Sequence, residues 1–79
     1  MTKQEIIEKV NSFLIEKLEV DPSVVRPEAE LRRDMGLTSI DAVQTMLFLK
    51  QEYGIQPNEE NIGSLVTLQD VYDYIEKNS

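Results

Sequence analysis

The sequence predicts an all-α fold, a four-helix bundle of three longer helices and one short one with a long loop between the first two. Two observations favour helices: apolar residues recur at intervals of three and four in separate stretches, and a threonine stands three residues ahead of an acidic side chain at positions 2, 38 and 67. A third excludes the alternative, because no segment alternates apolar and polar residues with period two. At 79 residues the chain is predicted to be one domain, residues 1–79, near the size at which a single core leaves only a small stability surplus.

Thr2 and Glu5 have capping-box spacing, so the first helix should begin there. Ile6, Ile7, Val10, Phe13, Leu14 and Leu18 then form one stripe and predict a helix over about residues 3–18. Periodicity fails from Glu19 to Thr38, where Pro22 and Pro27 resist helix interiors. A connection of this length needs buried side chains to hold it, and Val24, Val25, Leu31 and Leu37 are the candidates. The second helix is predicted over about residues 39–53, with Ile40, Val43, Met46, Leu47 and Leu49 as its apolar set and Gly54 as its stop. It is apolar over a wide arc, and Met46 or Phe48 is a candidate to face a partner. After Pro57, NEENI predicts a short helix ended by Gly63. Thr67, Asp70, Leu68, Val71, Tyr72 and Ile75 predict a last helix over about 68–77, with Tyr72 inward and Tyr74 on the surface.

Composition narrows the function. The chain contains neither cysteine nor histidine, which removes the usual general base near neutral pH, the commonest metal ligand and the best nucleophile. Autonomous catalysis is not expected. Fifteen acidic residues against eight basic ones give a net charge of −7, which repels nucleic acid and anionic membrane and favours protein partners. The opening MTKQEIIEKV interleaves charges with apolar residues, so neither a signal peptide nor a membrane span is expected. With no cysteine, a reducing cytoplasm is the expected compartment; a monomer is the expected state. Glu59 and Glu60 read as a solvated helix start, since no calcium-binding loop pattern surrounds them.

The stretch DMGLTSIDAV allows two readings. In one, Thr38 caps the second helix, Asp41 completes the box and Ser39 merely tolerates the first turn. In the other, Ser39 is displayed for modification: a phosphoester at a helix N-terminus meets unpaired amides and the positive end of the dipole. No base lies near enough in sequence to make Ser39 a nucleophile unaided.

The segments LRRDMGLTSIDAV and LKQEYGIQPNEENIGSLVTLQDVYDYI resemble the acyl carrier proteins and their peptidyl and D-alanyl relatives, along essentially the whole chain. In that family a serine in an Asp-Ser-Leu motif after a glycine-containing loop receives 4'-phosphopantetheine from coenzyme A. The serine in register here is Ser39, flanked by Thr38 and Ile40. The resemblance implies a handle with no chemistry of its own. Acyl groups ride as thioesters on the arm's thiol, and phosphopantetheinyl transferase and ketosynthase-type or other acyl-transferring enzymes bind the second helix. It implies Asp41, Val43, Met46 and Leu47 as contacts, and Arg33 is either a further contact or ordinary loop solvation. Fatty-acid, polyketide or related biosynthesis is the implied setting, with an aminoacyl, D-alanyl or peptidyl cargo as the alternative. In many members the acyl chain folds back between the helices, where each buried methylene contributes up to about 0.8 kcal/mol.

Two departures set this chain apart from the family pattern. Thr-Ser-Ile replaces Asp-Ser-Leu, which keeps a capping oxygen and an apolar anchor but removes a negative charge. Between Leu31 and Tyr53, Arg32, Arg33 and Lys50 balance Asp34, Asp41 and Glu52, so the segment expected to dock partners is neutral. A specialised carrier is the expectation. An acidic helical adaptor without an arm is the rival from another class.

Overall fold

Local hydrogen bonding starts every helix. The computed structural model describes residues 2–79, and within them α1 (Lys3–Glu16), α2 (Ser39–Tyr53), α3 (Glu59–Gly63) and α4 (Leu68–Asn78) each follow a reciprocal capping box. Thr2, Thr38 and Thr67 cap α1, α2 and α4 as the spacing predicts, and Asn58 with Asn61 does the same for α3. Each box satisfies amides that a helix start leaves without intrahelical partners. On α4 the Asp70 carboxylate accepts from the N–H groups of Thr67 and Val66, and those bonds hold its pKa below the usual carboxylate range.

The core joins Ile6, Val10 and Leu14 of α1 to Leu68, Val71, Tyr72 and Ile75 of α4, with Leu49 of α2 and the loop residues Val20 and Ile55 completing it. The Tyr72 hydroxyl donates to Asn11 Oδ1, so its polar end is paired while its ring is buried. Tyr74, expected on the surface, is half-buried against this core. The short last helix must cover one end of the bundle, and both of its tyrosines contribute area.

The first helix is shorter than its apolar stripe. It ends at Glu16 and not at residue 18, because Lys17 and Leu18 both donate to the Phe13 carbonyl and Glu19 turns to φ +56. Leu18 still packs against the core from outside the helix. A glutamate in the left-handed region is strained, whereas glycine is at ease there. Glu19→Gly is therefore expected to stabilise the protein by about 0.5–1 kcal/mol, raising the thermal midpoint by about 2–8 °C. A lowered midpoint in a calorimetric scan would show that this turn stores no strain.

The connection from Lys17 to Thr38 is held by side chains and by backbone. Val24, Val25, Leu31 and Leu37 pack on the core as expected, and Val20 and Ala29 are buried more deeply than any of them. A 3-10 turn at Pro22–Val24 and an isolated antiparallel bridge between Glu30 and Thr67 order the rest. Leu68 donates to the Ala29 carbonyl at 3.0 Å and Gln69 to the Pro27 carbonyl at 2.9 Å. The loop thereby closes amides at the head of α4 that the Thr67 cap does not reach. It then makes a turn over Leu31–Met35 that ends at Gly36, φ +68, and delivers Thr38 to the start of α2.

Candidate functional site

The head of α2 differs from that of α4 in what its amides find. Asp41 N–H donates to Thr38 Oγ1 at 3.3 Å, Thr38 N–H donates to the Asp41 carboxylate at 2.9 Å, and Ala42 donates to the Thr38 carbonyl. No loop carbonyl comes to the N–H groups of Ser39 and Ile40, which have no partner among the described residues. Ser39 itself is exposed, and its Oγ makes no hydrogen bond among the described residues. A hydroxyl on the first residue of a fifteen-residue helix is held by a rigid backbone yet remains open to an outside enzyme.

A groove of about 720 Å³ begins at this hydroxyl and runs along α2. Thr38, Ser39, Val43 and Met46 form part of one side, and Gln56, Pro57, Ile62 and Leu65 form part of the other. The sequence reading missed this second wall, since Ile62 and Leu65 continue no long periodic pattern and become a surface only when α3 folds over α2. The available signal was the proline at 57 just ahead of α3, which the structure buries.

The outward side of α2 corrects the sequence expectation. Ile40, Val43 and Leu47, assigned with Leu49 to one apolar set, are 70%, 56% and 53% exposed, whereas Leu49 is fully buried. Phe48, a candidate partner contact, instead stacks on Phe13 of α1 with ring centroids 4.3 Å apart and meets the edge of Tyr53. Met46 is half-buried in the groove. Helical geometry explains the division, because positions 40, 43 and 47 share a stripe that turns away from Leu49.

The charges nearby are few and mostly engaged. Asp41 is committed to its cap, and Glu52 receives Lys9 of α1 at 3.1 Å. Exposed Gln44, Gln51 and Lys50 leave the outer face of α2 without a free carboxylate. Arg33 approaches Glu30 at 3.6 Å and does not reach the groove, while its neighbour Arg32 lines it. Among the described residues no group of three or more metal-ligating side chains occurs, and no helix is long and apolar enough to cross a membrane.

An exposed serine thus stands at a capped helix start beside an apolar groove, in a chain that contains no histidine or cysteine. Residues 8–75 match the family model described as "Phosphopantetheine attachment site". The chain is 39% identical over 75 residues to an acyl carrier protein of Thermosynechococcus vestitus, covering 95% of this chain and 93% of that one. It is 37% identical over 76 residues to an acyl carrier protein of Thermotoga maritima, covering 96% and 94%. The chain belongs to the acyl carrier protein family, whose members are carriers and not enzymes.

The site's residues suit the family's prosthetic group. A phosphodiester on Ser39 Oγ would lie next to the two open amides of α2, at the favourable end of the helix dipole. The groove leads away from it with a largely apolar lining.

Proposed function

We propose that Ser39 is the attachment point of 4'-phosphopantetheine and that the chain, as one domain, carries acyl groups between enzymes of fatty-acid, polyketide or related biosynthesis. The observation that carries this reading is the exposed, unbonded Ser39 Oγ beside two unpartnered amides at the start of α2. When bound, the arm supplies a thiol that holds acyl groups as thioesters. Every other contribution belongs to the polypeptide. Thr38 and Asp41 fix the start of the helix and so the position of Oγ. The Ser39 and Ile40 amides stabilise the phosphodiester charge. Val43, Met46 and Leu47 offer apolar contact to phosphopantetheinyl transferase and to acyl-transferring or ketosynthase-type enzymes. Asp41, bound within its cap, contributes to docking through the helix it orders, and Arg33 offers a flanking charge. In this reading the chain works as a monomer in the cytoplasm.

Attachment forms a bond from Ser39 Oγ to the phosphorus of coenzyme A and breaks the pyrophosphate link, releasing adenosine 3',5'-bisphosphate, with the serine proton passing to the transferase. Incubation with coenzyme A and a broad-specificity phosphopantetheinyl transferase is expected to raise the intact mass by one phosphopantetheinyl group. Ser39→Ala is expected to abolish the gain and to leave the thermal midpoint close to that of the parent, since the lost hydroxyl has no partner. A gain that persists in Ser39→Ala would move the site, and no gain in the parent would leave the adaptor reading.

A further inference from the structure

We propose that Arg32 is the counter-ion of the phosphodiester at the root of the arm and so positions the tether where it leaves α2. The inference rests on Ser39 bearing the arm. Arg32 and Ser39 line the same groove, and the backbone between them limits their separation. Gly36 N–H donates to the Arg32 carbonyl at 3.1 Å and Leu37 N–H to the Leu31 carbonyl at 3.0 Å, so the chain folds back on itself over residues 31–37. Ser39 follows Leu37 by two residues, at most about 7 Å of chain. A phosphate on Ser39 Oγ is therefore within the span of the Arg32 side chain.

The surrounding charges single out this arginine. Arg33 approaches Glu30 at 3.6 Å, Asp34 accepts from the Glu30 N–H at 2.8 Å, and Asp41 is bonded to Thr38 within the cap. Arg32 is exposed and forms no ion pair within 4.0 Å among the described residues. The other charged residues lining the groove are Lys50, eleven residues beyond Ser39 on α2, and Glu59 on the opposite wall, which stays more than 4.0 Å from both cations. An unpaired arginine is a notable feature in a chain with fifteen acidic residues against eight basic ones. Two departures from the family pattern act together here. Thr38 keeps the capping oxygen of the aspartate it replaces without its charge. No carboxylate directly precedes the serine, either to repel a phosphodiester or to draw Arg32 away from it. Arginine suits the task, because its planar fork can bind two phosphate oxygens at once, whereas an ammonium acts as a point charge. Paired in this way, Arg32 shares the phosphodiester charge with the open amides of Ser39 and Ile40 and restrains the first bonds of an otherwise flexible tether.

The test compares the full chain without and with the arm, in the parent, Arg32→Gln, Arg32→Lys and Arg33→Gln, with intact mass confirming attachment in each. Attachment is expected to move the Arg32 Nε–H signal in a nitrogen-15 NMR spectrum, identified by its loss in Arg32→Gln, and to leave the Arg33 signal in place. The change in thermal midpoint on attachment is expected to be about 1–8 °C less favourable in Arg32→Gln than in the parent, the scale of a solvent-exposed ion pair in a domain of this size. Arg32→Lys should fall between the two, and Arg33→Gln should match the parent. The difference should shrink at about 1 M salt, where the screening length falls to about 3 Å. Equal midpoint changes in the parent and Arg32→Gln overturn the proposal, as does an Arg32 signal that attachment leaves unmoved. An equal loss in Arg33→Gln, or a loss untouched by salt, overturns it too. Failure of the arm to attach to the parent overturns the carrier reading; attachment without these Arg32 effects overturns this inference alone.

Discussion

Leu49→Ala is expected to cost about 2–5 kcal/mol, the range for removing a leucine from a packed interior without collapse of the space it leaves. Leu49 is fully buried and is the one α2 residue in the buried core, where it meets side chains of α1 and α4. A domain of this size has total stability on the order of 4–12 kcal/mol, so the substitution removes a large share of it. Chemical denaturation should show the midpoint falling with little change in slope, and thermal unfolding should begin about 10 °C or more lower. The Leu49 carbonyl accepts from Gly54 and Ile55 at the end of the helix. Alanine preserves those backbone bonds, so the loss reports packing and not capping. A change below about 0.5 kcal/mol, the scale of an ordinary surface substitution, would mean that α2 is not anchored through this side chain.

The second large effect lies on the same helix, two and six residues before Leu49, and has the opposite character. Val43→Gln with Leu47→Gln is expected to leave stability within about 1 kcal/mol, since both side chains are more than half exposed and glutamine is a good helix former. The same pair should slow arm attachment by phosphopantetheinyl transferase more than tenfold, the scale expected when apolar anchors at the centre of an interface are removed. Neither substitution changes charge. The loss should therefore persist as salt is raised, whereas an interface held by ion pairs weakens on that screening. Attachment rates within twofold of the parent would exclude Val43 and Leu47 from docking, and the exposed stripe of α2 would need another explanation.

These two leucines mark where reading the residues stops being sufficient. Thr38 with Asp41, and Thr67 with Asp70, announce helix starts because a capping box is complete within four consecutive residues. The stop at Gly54 is equally local, its φ of +68 being one that glycine adopts freely. Ser39 could be singled out for the same reason, since its environment is the first turn of its own helix. The orientation of α2 could not. Its apolar residues run most of the way round, so periodicity alone assigned Ile40, Val43 and Leu47 to the same set as Leu49.

The groove was still less legible. Pro57, Ile62 and Leu65 face Met46 and Val43 only because a short helix folds across α2. The Glu30–Thr67 bridge likewise pairs segments far apart in the chain.

The sequence by itself determined the helical class, the three threonine-capped starts and the serine placed at a helix head. All of these follow from composition or from contacts within a single turn. Only the tertiary structure decided that α2 buries Leu49 and exposes Leu47, that Phe48 is spent on Phe13, and that Lys50 faces the groove that starts at Ser39. Burial is settled by competition among helices for one small core, and a helix that is apolar over a wide arc has no preferred side until α1 and α4 close on it.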